Sequence, residues 1–169
     1  MFVAFWMLQR LTREVNYLEK QIVDKQTELS QYTRYANALG STANLSINNI
    51  AGLPSNLVPR ASLFSQYADQ ASSMSAMQNL QMMKMMGRVP VTGNQMIDMQ
   101  IQMSAYSQFK QEALKALKQQ EVNVMNEKEK ELRLSLNAIQ ATLKVKQAQL
   151  EAYKNHVDKQ AQKAAPDFG

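Results

Sequence analysis

Leu8, Leu11, Val15, Leu18, Ile22, Lys25, Leu29, Tyr32, Ala36 and Leu39 follow one another in steps of three and four. A strand shows alternate residues to one face, so it cannot use that spacing. A repeat of 3.5 residues keeps all of these positions on one stripe of a helix. Such a stripe is a heptad seam that asks for a partner helix, and its single charged member is Lys25. Glu14, Glu19, Lys20, Asp24 and Glu28 fall off the seam, where solvent or partner charges meet them. Gly40 follows the last seam residue, in position to end the helix in a left-handed conformation.

The partner seam is at the other end of the chain. Leu132, Leu136, Ile139, Leu143, Lys146, Leu150, Tyr153, Val157, Gln160 and Ala164 repeat the same steps, again with one lysine. Upstream, Met96, Met99, Met103, Tyr106, Ala113 and Leu117 keep a different phase, joined through Leu117, Glu121 and Met125 by an extra step of four. A stutter of this kind unwinds a left-handed supercoil, so a straighter section is expected near residues 117–132. Short connections favour antiparallel neighbours, which makes an intramolecular hairpin the expected pairing of the two seams. In that hairpin Lys25 and Lys146 are expected close together, with their ammonium groups extended to Glu28, Glu151 or solvent.

Between the seams the character changes. Residues 40–60 hold Gly40, Ser41, Asn44, Asn48, Asn49, Gly52, Pro54 and Pro59, all poor helix interiors, yet also Leu45, Ile47, Ile50, Leu53, Leu57 and Val58. This reads as a loop that packs on the rest of the chain. No breaker occurs between Pro59 and Gly87, so a second helix is expected over about residues 60–86, with Leu63, Phe64, Tyr67, Ala71, Met74, Met77 and Leu80 at helical spacing. A turn over residues 87–94 leads into a long third helix over residues 94–164. The fold class is therefore all-α: a long antiparallel helical hairpin or coiled coil, a shorter Met-rich middle helix and an irregular loop. Its parts are residues 1–39, 40–93 and 94–169.

Composition removes most chemistry. The 169 residues contain no Cys and one His, so thiolate nucleophiles, disulfides and the usual zinc sites are not expected. Asp158 stands two residues from His156, a spacing that does not face on a helix. There is no paired Glu-x-x-His motif for a diiron site and no phosphate-binding or dinucleotide fingerprint. Glu127, Glu129 and Glu131 alternate with Lys128 and Lys130, which scatters charge around a helix without pairing carboxylates. No catalytic, cofactor-binding or metal-ligating residues are assigned, and an enzyme is not expected.

The net charge of +5 is spread along the chain: five basic and four acidic residues over 1–39, three and one over 40–93, eleven and nine over 94–169. Nucleic-acid binding calls for basic residues gathered on one face, so nucleic acid is not an expected partner. Eight apolar residues open the chain, without the preceding basic segment and cleavage site of a secretory signal, and short of the ~20 that span a bilayer. The expectation is no cleavable signal and no transmembrane helix, hence a cytoplasmic protein or one exported by a signal-free route.

Two features remain as candidate contact surfaces. Nine of the twelve Met lie between Met74 and Met103, with Met82, Met83, Met85 and Met86 covering more than one helical face. Methionine conforms to irregular partners and also fills cores, so either an interface or a three-helix core fits it. Phe2, Phe5 and Trp6 form an aromatic N-terminus that fits a subunit contact, a membrane interface, or a cap against Phe168.

Paired terminal helices around an irregular middle suggest a structural subunit that self-associates into a filament, appendage or particle. That layout is similar to the filament proteins of flagellar and type III export systems, whose two ends pair as helices. The similarity is one of layout, and no site residues follow from it. The alternative is an adaptor or chaperone-like module that holds apolar helices of a client through its Met-rich segment. The expected partners are other copies of the chain or a helical protein, with a membrane surface a weaker option.

Overall fold

The computed structural model describes residues 2–41, 53 and 55–164. Three helices make up almost all of them: α1 (Phe2–Ser41), α2 (Val58–Met85) and α3 (Gln95–Ala164), with no strand among the described residues. The protein is all-α, with long first and last helices and a shorter middle one.

The helix boundaries follow from local chemistry. α1 runs through Gly40 to Ser41, so Gly40 does not end it. Among the described residues only Gly87 and Gly93 have positive φ. The loop expected over residues 40–60 falls largely outside the described residues. α2 begins with Pro59 in its first turn, where a missing N–H leaves no bond unmade. It ends in a Schellman cap: Gly87 N–H donates to the Lys84 carbonyl at 3.1 Å, and Arg88 N–H to that of Met83 at 3.0 Å. Gly87, at φ +66°, supplies the left-handed residue that this cap requires.

Asn94 opens α3 by accepting Met96 N–H on its side-chain oxygen at 3.1 Å. Asp98 reaches back from the first turn, and its Oδ1 accepts the Thr92 N–H at 2.8 Å and the Thr92 hydroxyl at 2.7 Å. These bonds hold its carboxyl below the ordinary value of 3.8, the backbone bond contributing most.

The chain divides into two units, one built from residues up to Ser30 together with those from Glu129 onward, the other from Gln31–Lys128. In the first, Leu11, Val15 and Leu132 are buried. Leu8, Leu18, Ile22, Leu29, Leu136, Ile139, Leu143, Leu150 and Val157 are half-buried, while Tyr153 and Gln160 are exposed. Lys146 Nζ donates to Glu14 at 2.8 Å, and the Gln147 amide to Glu19 at 3.3 Å. Glu14 also takes Arg10, and the two cations, Lys146 first, hold its carboxyl below the usual range.

Lys25 pairs with Glu28 one turn on, at 3.1 Å, one of the partners expected for it. Lys146 and Gln147 reach the stretch of α1 between Glu14 and Glu19, and Glu14 lies about 16 Å along α1 from Lys25 at 1.5 Å per residue. The extension of Lys25 to Glu28 is as expected, but Lys146 turns to Glu14 and not to Glu151, which overturns the expected neighbourhood of the two lysines.

In the second unit, Tyr35, Ala36 and Leu39 of α1, Leu57 before α2, Ala61 of α2 and Met125 of α3 form the core. Tyr32, Leu53, Phe64, Val122 and Val124 pack around it. Here α2 and α3 run antiparallel, as their two ion pairs show. Arg60 meets Glu121 at 2.7 Å and, further along α2, Asp69 meets Lys110 at 2.8 Å, so α3 is followed backwards.

Candidate interaction surface

α2 lies with its small residues inward. Its buried positions are Ala61, Ala68, Ser72 and Ala76, and Phe64 is half-buried beside them. Steps of seven, four and four keep the buried four on one line. Side chains this small let the backbones of neighbouring helices come close, and Ser72 meets its own hydrogen-bonding need by donating to the Asp69 carbonyl at 3.1 Å.

The large apolar residues point the other way. Leu63, Tyr67, Met74, Met77 and Met85 are exposed, from 60 % at Met77 to 82 % at Met85. At 100° per residue they form one stripe about 180° from the buried line. Gln70 and Gln81 complete it in steps of three and four, both exposed. Spacing alone groups Leu63, Tyr67, Met74 and Met77 with Phe64 and Leu80 as the apolar positions of one helix. The structure separates them: Phe64 and Leu80 are half-buried, and the other four face solvent.

The methionine tract shows the same bias. Met74, Met77, Met82, Met85, Met86, Met96, Met99 and Met103 are exposed, and Met83 alone of the nine is half-buried. Met125, outside the tract, is the methionine that fills the core, fully buried. The tract thus presents thioethers to solvent at the end of α2 and the beginning of α3, with exposed Val91 and Ile97 beside them.

One polar cluster ties the helices that carry this surface. Glu121 of α3 receives Arg60 Nε at 2.7 Å and the second guanidinium nitrogen at 3.2 Å, a two-pronged pairing that sets the guanidinium plane. The same carboxylate accepts the Tyr35 hydroxyl of α1 at 3.3 Å. Tyr35 is fully buried. Burial, and then the neighbouring carboxylate, raise its phenol above the ordinary 10.0. Glu121 raises Arg60 in turn. Sequence reasoning meets Glu121 only as a step in the stutter and does not single out Tyr35 or Arg60. No local signal links three residues so far apart in the chain.

At the N-terminus Phe5 and Trp6 are exposed, with the Arg10 guanidinium 5.9 Å from the Trp6 ring centre. The side chain of Phe2, and Phe168, lie outside the described residues. His156 and Asp158 are both exposed. No group of three or more His, Cys, Asp or Glu among the described residues could hold a metal ion. No described helix is long and apolar enough to cross a membrane.

No protein-family model, curated protein or solved structure matches this chain.

Proposed function

We propose that the chain is a non-enzymatic structural subunit that self-associates through its helices into a larger assembly. The observation that carries this reading is the inverted burial of α2, with alanine and serine inside and Leu63, Tyr67, Met74, Met77 and Met85 outside. Large apolar side chains aligned on one exposed helical face are costly to hydrate and mark a surface that another helix covers. The seam residues Leu11, Val15 and Leu132, buried in the unit where Lys146 reaches Glu14, support coiled-coil pairing of α1 with α3 as its frame.

A second reading is an adaptor that holds apolar client helices. It draws on the eight exposed methionines of the tract, since flexible thioethers accommodate partners of varied shape. Sedimentation velocity over a wide concentration range, with negative-stain imaging of large species, separates the two. A structural subunit grows with concentration into ordered particles. An adaptor stays small until a client is added, and that result would replace the first reading by the second.

A further inference from the structure

We infer that the outward stripe of α2 is a two-fold interface between copies of this chain, the two α2 helices antiparallel and Met74 at the axis. The inference rests on the self-association reading and names the surface responsible.

The first support is shape. Leu63, Tyr67, Gln70, Met74, Met77 and Gln81 keep the 3.5-residue repeat of a helix-pairing seam over five turns, Met85 continues the stripe one step of four further, and every one is exposed. The stripe is about 33 Å long at 1.5 Å per residue, enough for a full helix-on-helix contact. Its five apolar residues are each 60 % exposed or more, and a specific interface needs ~800 Å² per partner, which a contact along this whole length, with the polar side chains that flank it, can approach.

The second support is charge. A two-fold axis sets the stripe against its own copy, so a stripe rich in one charge would repel itself. Between Arg60 and Lys84 the only charged side chain is Asp69. It lies off the stripe, bound to Lys110 at 2.8 Å. An acidic or basic partner finds nothing complementary on the stripe itself, whereas a second copy meets no like charge among the stripe residues. Interfaces of this kind are depleted in charge and enriched in Met and aromatic residues.

The third is self-complementarity. Centring the axis on Met74 sets Leu63 against Met85 and Tyr67 against Gln81, with Gln70 one residue from the level of Met77 of the second copy. Tyr67 and Gln81 can then hydrogen-bond, and a flexible methionine lies against its own copy at the centre, where it adapts its rotamer.

The chain has no cysteine, so Met74→Cys installs a single thiol. Under mild oxidation this variant is expected to cross-link to its own copy. Ser62→Cys, exposed but off the stripe, is expected not to. Met74→Lys places two ammonium groups at the axis and is expected to lower the sedimenting mass at least about twofold, with helicity by circular dichroism unchanged.

If the wild-type chain associates but Met74→Cys cross-links no better than Ser62→Cys, the stripe interface is overturned while self-association stands on another surface. An undiminished mass for Met74→Lys overturns the stripe interface in the same way. If the wild-type chain sediments as a single copy at every concentration, both readings fall together.

Discussion

Tyr35 and Glu121 stand 86 positions apart in sequence and 3.3 Å apart in space, the buried phenol donating to a carboxylate oxygen that also receives Arg60 at 2.7 Å. One side chain of α3 thereby satisfies donors from α1 and α2 together. A buried hydroxyl without an acceptor is costly, whereas Arg60, 43 % exposed, can turn to solvent.

Removing the carboxylate is therefore expected to cost more than a surface substitution. Glu121→Ala should destabilise the fold by about 1–3 kcal/mol, chiefly because the buried Tyr35 hydroxyl loses its acceptor while the exposed Arg60 turns to solvent. Glu121→Gln keeps an oxygen for Tyr35 and should cost about half as much. Urea unfolding followed by circular dichroism checks both. An unchanged midpoint for Glu121→Ala would mean that solvent takes over both donors.

The same phenol predicts an alkaline limit. Its folded value is raised above 10.0, first by burial and then by Glu121. The neutral phenol thus contributes stability that is complete below pH 10 and drains away as the pH climbs from 10 toward the folded value. Tyr35→Phe has no proton to lose and should flatten that part of the stability curve. Melting temperatures of the two proteins from pH 8 to 11 make the comparison, and parallel curves would count against it.

Asp98 acts at the acid end. Its folded value lies below 3.8 because Thr92 donates both N–H and hydroxyl to it. The turn before α3 therefore gains from the carboxylate above pH 3.8, and loses that gain as the pH falls through the depressed folded value. Following the Thr92 amide by NMR during acid titration should show a midpoint below 3.8. Asp98→Asn should abolish the transition. A midpoint at or above the ordinary value would show that the turn bonds do not hold in solution.

Methionines on opposite sides of the solvent boundary should behave oppositely. Met125 is fully buried in the core with Tyr35, Leu39 and Leu57, so Met125→Ala should cost about 2–5 kcal/mol. Met85 is 82 % exposed, and Met85→Ala should change the stability of the single chain by no more than about 0.5 kcal/mol. Denaturation at a concentration where the chain is monomeric gives both values. Equal losses would mean that Met85 is covered within its own chain.

What the sequence reveals is a matter of which forces are local. Seam residues such as Leu11, Val15, Ala36 and Leu39 are legible because regular spacing fixes which side of α1 they share, and these four are buried. The turn between α2 and α3 is legible through Gly87 and Asn94, whose backbone and capping chemistry act within a few residues.

The orientation of α2 is not legible from its large residues. The usual expectation puts Leu63, Tyr67, Met74 and Met77 inside, but close helix approach favours Ala61, Ala68, Ser72 and Ala76 there. The regular spacing of those small residues is the signal that points to it. Glu14 with Lys146, and Glu121 with Arg60, depend on distant parts of the chain, and periodicity carries no information about them.

The inversion of α2 also redraws where this protein tolerates change. On an ordinary amphipathic helix the bulky positions are the guarded ones. Here the guarded positions are the alanines: a valine or leucine at Ala61, Ala68 or Ala76 has no room to enter. The bulky outer positions can be rewritten without disturbing the interior they do not touch. Variation accumulating along Leu63, Tyr67, Met74, Met77 and Met85 would change the company the helix keeps while leaving the scaffold as it is.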